Sequence, residues 1–158
     1  MTVDPEAKFG IKIQSRGAGK TIEQKYAILA GAVYVAIGVI GFFYTGFSNF
    51  TEATNEALFG LFLINPFHNL VHVALGAIWL LAGLALTPVG TEGVNIAIAG
   101  FYVLAAVLGF LGYLSLVSVP AGFDMDFWLH LLSGVITLVV GGGLLSTMSS
   151  GNRTTANV

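Results

Sequence analysis

The chain contains no cysteine, which excludes disulfides and every thiolate metal site. It is also poor in charge: Asp, Glu, Lys and Arg make up 9% of its 158 residues, against roughly 25% in a soluble domain. No lysine or arginine occurs between Lys25 and Arg153, so no basic groove for nucleic acid can be assembled there. A phosphate-binding glycine loop and a Ser-His-Asp arrangement with a plausible nucleophile are both missing. No Asp, Glu, Lys or Arg falls near the middle of a long apolar run, which argues against a transporter, whose path needs broken helices or midplane charges.

What fills the chain instead is apolar. Hydrophobic residues make up 56% and mean hydropathy is +0.87, the composition of a membrane protein. Four stretches approach or exceed the ~20 residues needed to cross a hydrocarbon core of ~30 Å: about Tyr26–Phe47, Phe67–Leu86, Val94–Val117 and Phe127–Leu145. They are continuously apolar rather than alternating, which predicts helices and not a barrel. The polar stretch of about 25 residues before the first span, and the lack of a small-residue cleavage site after it, argue against a cleaved signal peptide.

Residues 1–25 read as a basic N-terminal arm, 26–146 as a transmembrane domain and 147–158 as a polar C-terminal tail. The arm carries Lys8, Lys12, Arg16, Lys20 and Lys25. By the positive-inside rule it lies in the cytoplasm, and an even number of spans puts both termini there. Between the spans, Ala57–Ile64 is apolar but too short to cross and reads as interfacial or re-entrant. Pro66 suits the first turn of the second helix, and Asp124 or Asp126 is placed to cap the fourth. Thr87–Asn95, rich in Gly and Pro, reads as a cytoplasmic turn.

The spans also repeat. Tyr34–Phe42 reads YVAIGVIGF and Tyr102–Phe110 reads YVLAAVLGF; His68–Gly76 reads HNLVHVALG and Asp126–Gly134 reads DFWLHLLSG. The expected fold is therefore an all-α membrane protein of four transmembrane helices, built as two tandem parallel helix-pair repeats (about residues 26–87 and 94–146) around a pseudo-two-fold axis along the membrane normal. Gly31, Gly38, Gly41, Gly109, Gly112, Gly134 and Gly141 are candidate close-approach positions between helices.

Aligning the repeats gathers the chemistry. His68 and His72 stand four residues apart and share a helix face; Asp126 and His130 have the same spacing. If the second and fourth helices pack across the axis, three imidazoles and a carboxylate converge near their outer ends. Such a set suits a divalent metal held by nitrogen and oxygen: zinc first, iron or copper less specifically. His72 and His130, as equivalent positions, also suit axial ligation of a haem or a single chlorophyll. The competing reading is a structural cluster that caps and braces two helices through hydrogen bonds, joined by Asn65 and Asn69. Tyr34 and Tyr102 form the other matched polar pair, their hydroxyls expected to meet a backbone carbonyl or each other. The aromatic crowd at the outer end reads as an interfacial belt that is also able to border a lipid or carotenoid.

The run Asn65-Pro-Phe-His-Asn-Leu-Val-His72-x-x-x-Gly76, followed by Asp126-x-x-x-His130-x-x-x-Gly134, resembles the bacterial four-helix membrane proteins grouped as domain of unknown function 4383. The resemblance covers about Tyr26–Leu145 and implies a single four-helix membrane domain without a known activity.

The preferred expectation is a small non-catalytic integral membrane subunit of a larger complex, respiratory or photosynthetic, in the bacterial plasma or thylakoid membrane. Its partners are the bilayer and that complex, with no nucleic acid, and the basic arm docks on the cytoplasmic side. The alternative is a metal- or tetrapyrrole-binding membrane protein using His68, His72, Asp126 and His130. An enzyme is the weakest reading, since Glu56 and Asp124 are explained by loop solvation and capping.

Overall fold

The computed structural model describes residues 19–145. Four helices account for most of them, and each begins at a polar cap. Helix α1 (Ile22–Thr45) opens on a capping box: the Thr21 hydroxyl accepts from the Gln24 N–H, and the Gln24 side chain accepts from the Thr21 N–H at 3.0 Å. Helix α2 (Pro66–Ala85) starts with Asn65 accepting from the His68 N–H at 2.8 Å, and Pro66 occupies the first turn, as expected. Helix α3 (Pro88–Phe110) is capped by Thr87. Helix α4 (Met125–Ile136) is capped by Asp124, which accepts from the Phe127 N–H at 2.9 Å. Asp126 lies two residues further on, in the first turn.

The boundary of α3 corrects the sequence reading. Thr87–Asn95 is not a turn: Thr87 caps, Pro88 fills a position whose missing N–H costs nothing, and Gly90 and Gly93 are helical. A second difference lies between the first two spans. The apolar segment folds back as a short antiparallel hairpin, with β1 (Ala57–Leu58) paired to β2 (Phe62–Leu63). Its turn uses positive φ at Phe59 (54°) and Gly60 (71°). Leu58 and Ile64 are buried beneath it.

Helices α1, α2 and α3, with 24, 20 and 23 residues, are long and apolar enough to cross a membrane. Helix α4 is shorter. It continues as a π-helical turn, Thr137–Gly141, so that the apolar segment runs from Met125 to Gly141. The protein is a helical membrane protein, with α1 packed on α2 and α3 on α4.

Glycines set the closeness of these pairs. A Cβ on Gly31 would lie 2.7 Å from the Gly76 carbonyl oxygen, one on Gly38 2.6 Å from the Asn69 carbonyl oxygen, and one on Gly83 2.7 Å from the Gln24 carbonyl oxygen. Backbone therefore meets backbone along α1 and α2, the arrangement small residues permit in lipid. Gly134 plays this part on α4, where a Cβ would lie 3.0 Å from the Ala99 carbonyl oxygen and 2.7 Å from Val103.

The centre of the bundle is aromatic rather than aliphatic. Tyr34, Trp79 and Tyr102 form one cluster with Ala27 and Ile98. Towards the starts of α1 and α3, a polar knot joins the helices. Asn95 accepts from Trp79 Nε1 at 2.9 Å and donates to the carbonyls of Gly141 (2.7 Å) and Glu23 (3.3 Å). The Gln24 amide donates to the Leu86 carbonyl at 2.8 Å, and the Thr91 hydroxyl to that of Ala82 at 3.0 Å. Thr137 donates to the Ser133 carbonyl, so the Tyr26 hydroxyl, 2.7 Å from Thr137 Oγ1, is left to donate to it.

Candidate functional site

The other end of the bundle, where α2 and α4 begin, holds all three histidines of the chain. Asn65 organises its floor and its rim together. While its Oδ1 caps α2, its amide donates to the carbonyls of Glu52 (3.0 Å) and Leu116 (2.9 Å). The Thr54 N–H donates to Ser118 Oγ at 2.9 Å. The two connecting loops are thereby tied to each other and to α2, and the hairpin closes over the same end.

Beneath this cover, His68, His72 and His130 are 4%, 7% and 4% exposed. One ring nitrogen from each falls in a group whose members all lie within 4.8 Å of one another. The His68 ring centroid is 4.7 Å from that of His72 and 6.1 Å from that of His130. The expected convergence of α2 and α4 histidines is therefore present in the fold. The helix spacing explains the first two positions: four residues advance a helix by slightly more than one turn, stacking one ring above the other. Only tertiary packing brings the third.

Asp126 is 2% exposed but does not belong to the three-nitrogen group. It lines a cavity of about 120 Å³ together with His68, His72 and Asn69, under the hairpin. A larger cavity of about 240 Å³ opens on the other side of the rings, between α2 and α3, and is lined by His68, His72, His130 and Tyr102 among apolar side chains such as Val71 and Leu108. His68 and His72 line both spaces, and His130 lines the larger.

The brace reading requires hydrogen bonds from the rings, and only His68 makes them, to the backbone of Leu63 and of Val117. Nδ1 of His68, of His72 and of His130 is buried without a partner among the described residues. What holds the other two rings is stacking. Tyr34 lies on His72 (centroids 5.1 Å, planes at 9°) and Tyr102 lies on His130 (5.7 Å, 29°). The two tyrosine rings are 5.2 Å apart and their hydroxyls meet each other, as expected, while the Tyr34 hydroxyl also lies 2.6 Å from Ser133 Oγ. Asn69, which the sequence reading joined to the histidines, instead donates to Thr45 Oγ1 at 2.9 Å and links α2 to the end of α1.

Space bears on the tetrapyrrole option. The larger cavity, at about 240 Å³, is below the ~300–1,000 Å³ of sites for drug-sized ligands, and a macrocycle is bulkier than these. Tyrosine rings already cover His72 and His130. The cluster has the size of an ion or a few waters.

Of the basic residues proposed for docking, Lys8, Lys12 and Arg16 lie outside the described residues. Lys20 donates to the Leu84 carbonyl at 2.7 Å, near the end of α2 where a cation suits the helix dipole. Lys25 is exposed on α1. The side chain that sequence reading missed is Asn95. Its signal was present, a lone amide at the edge of an apolar run, but assigning Thr87–Asn95 to a turn made it look solvated.

Fold and site together define a small polytopic helical membrane protein with a buried imidazole cluster. The chain belongs to the family described as domain of unknown function (DUF4383), whose model matches residues 24–142. No curated protein and no solved structure matches it.

Proposed function

We propose that the protein is a small non-catalytic membrane subunit that packs laterally against a larger respiratory or photosynthetic assembly. The distribution of polarity carries this reading. Gln24, Asn65, Asn69, Thr91, Asn95 and Thr137 are all buried, while the perimeter presents Leu29, Leu81, Leu84 and Leu132 at more than half exposure. A body that turns its polar groups inward offers neighbours an apolar wall suited to lipid and to other transmembrane helices. The membrane is the bacterial plasma or thylakoid membrane, with the histidine end outside and the basic arm inside. Lys8, Lys12, Arg16, Lys20 and Lys25 dock on a partner's cytoplasmic face.

The two halves are read as tandem repeats. Tyr34 covers His72 as Tyr102 covers His130. Gly76 packs on Gly31 and Val35 as Gly134 packs on Ala99 and Val103, and the paired residues occupy matched sequence positions.

Gentle detergent extraction followed by native electrophoresis tests the subunit reading. The chain is expected to migrate with a larger assembly, and replacing all five arm cations by glutamine is expected to release it. Migration only as a lone 16.5 kDa protein from native membranes sinks the idea. A second reading, ligand binding, is favoured by one specific observation, the three unpartnered imidazole Nδ1 atoms.

A further inference from the structure

We propose that His68, His72 and His130 bind one divalent first-row transition-metal ion, with Asp126 supplying a neutralising carboxylate from the adjoining cavity. The inference is independent of whether the chain has a larger partner.

Three observations converge on it. The first is proximity: one nitrogen from each ring, all within 4.8 Å of one another. Three nitrogens around a tetrahedral ion at ~2.0–2.1 Å stand about 3.4 Å apart. The rings therefore need to draw in by about an ångström or less, and the cavities on both sides leave room for small side-chain rotations.

The second is lack of satisfaction. Three Nδ1 atoms are buried with no hydrogen-bond partner among the described residues. A buried polar atom without a partner is costly, and three in one place are not a stabilising brace. An ion that takes its lone pairs from these Nδ1 atoms relieves that cost in all three rings. The contacts that remain are those a ligating imidazole needs for orientation: stacking tyrosines on His72 and His130 and hydrogen bonds from His68 to the backbone of Leu63 and Val117.

The third is charge. Three neutral imidazoles leave a bound ion with its full double charge in a low-dielectric interior, which is costly without compensation. Asp126 is a buried carboxylate that shares a cavity with His68 and His72. From that cavity it supplies the counter-charge. The donor set, nitrogen with one oxygen and no sulfur, suits zinc or copper(II) better than calcium or magnesium, which prefer all-oxygen shells.

Buried water is the competing occupant of the same space, since a polar cavity of this size holds one or more. Metal and water differ in what they do when the ion is offered. The chain suits such a test because it has only three histidines and no cysteine, so a nitrogen-rich site has nowhere else to form.

The full chain is purified in mild detergent through a histidine-free affinity tag, stripped with chelator and titrated with Zn²⁺, Co²⁺ or Cu²⁺ alone. One ion per chain is expected, with a raised melting temperature and, for Co²⁺, the visible bands of a four-coordinate nitrogen/oxygen site. His72→Gln and His130→Gln are expected to weaken binding by ~100-fold or more, and Asp126→Asn by ~10-fold. Helical circular dichroism and elution volume report whether each variant is folded. Paramagnetic resonance of the Cu²⁺-loaded wild type needs no variant, and nitrogen hyperfine splitting from several imidazoles is its expected signature. Less than a tenth of an ion per chain at micromolar metal, or a Cu²⁺ spectrum of oxygen ligands only, overturns the proposal and leaves water in the cluster. So does undiminished affinity in a folded His130→Gln variant.

Discussion

Tyr34 and Tyr102 pack in the same aromatic cluster and each covers a histidine. Their hydroxyls meet each other, and Tyr34 also shares a hydrogen bond with Ser133 at 2.6 Å. Losing a hydroxyl therefore has unequal consequences. Tyr34→Phe removes both contacts and is expected to destabilise the protein by about 0.5–1.5 kcal/mol, near the range of side-chain hydrogen bonds in membrane bundles. Tyr102→Phe leaves the Tyr34–Ser133 bond in place and is expected to cost less, under ~0.5 kcal/mol. Reversible unfolding in mixed micelles measures both. A larger loss for Tyr102→Phe than for Tyr34→Phe shows that the Ser133 bond contributes little.

Among the elements, helix closeness is set by where glycine is required and where it is merely tolerated. Gly76 lies where a Cβ would come 2.7 Å from the Val35 nitrogen and 2.8 Å from the Gly31 carbonyl oxygen, both immovable backbone. Gly76→Val is expected to push α1 off α2 at a cost of about 3 kcal/mol, the upper range for overpacking. Gly93 and Gly100 on α3 meet nothing within 4 Å. Alanine at either position is expected to stabilise by about 0.5–1 kcal/mol by restricting the unfolded helix. The same unfolding assay compares them, and a tolerated Gly76→Val shows that α1 and α2 do not pack as described. The caps are the elements' most readable part. Asn65-Pro66 and the pair Asp124 and Asp126 announced two helix starts because their chemistry is local, and of the pair Asp124 is the cap. Thr87-Pro88 carried the same signal, but the glycines after it suggested a turn. In an apolar helix held by tertiary packing, glycine is too weak a breaker to end it.

At the scale of the whole molecule, its two ends differ in kind. One end is a knot in which Asn95 and Thr137 have their polar atoms engaged; the other is a chamber with three open nitrogens. Orientation decides which end meets the outside. The cysteine-free chain makes that measurable with single substitutions. Asn55→Cys, exposed in the loop at the histidine end, is expected to react with a membrane-impermeant maleimide in intact cells. Val89→Cys, 76% exposed at the start of α3, is expected to react only after permeabilisation. Labelling in the reverse order places the histidine end in the cytoplasm.

Sequence alone determined that the chain enters a membrane as helices, because hydropathy, the absence of charge and the length of apolar runs are additive along the chain. It also pointed to His68, His72 and His130, because the four-residue spacing of the first two and the similar run around the third are visible without coordinates. Tertiary structure decided what those positions amount to. It set His130 beside the α2 pair, placed Asp126 in a neighbouring cavity rather than within the nitrogen group, and left three Nδ1 atoms without partners among the described residues. It turned Asn95 from an apparent loop residue into the hub of the opposite end. The physical reason is the same in each case: which atoms a buried polar group reaches depends on the approach of other helices to within a few ångströms. Glycines at Gly31, Gly76 and Gly134 permit that approach, but no local pattern reports it.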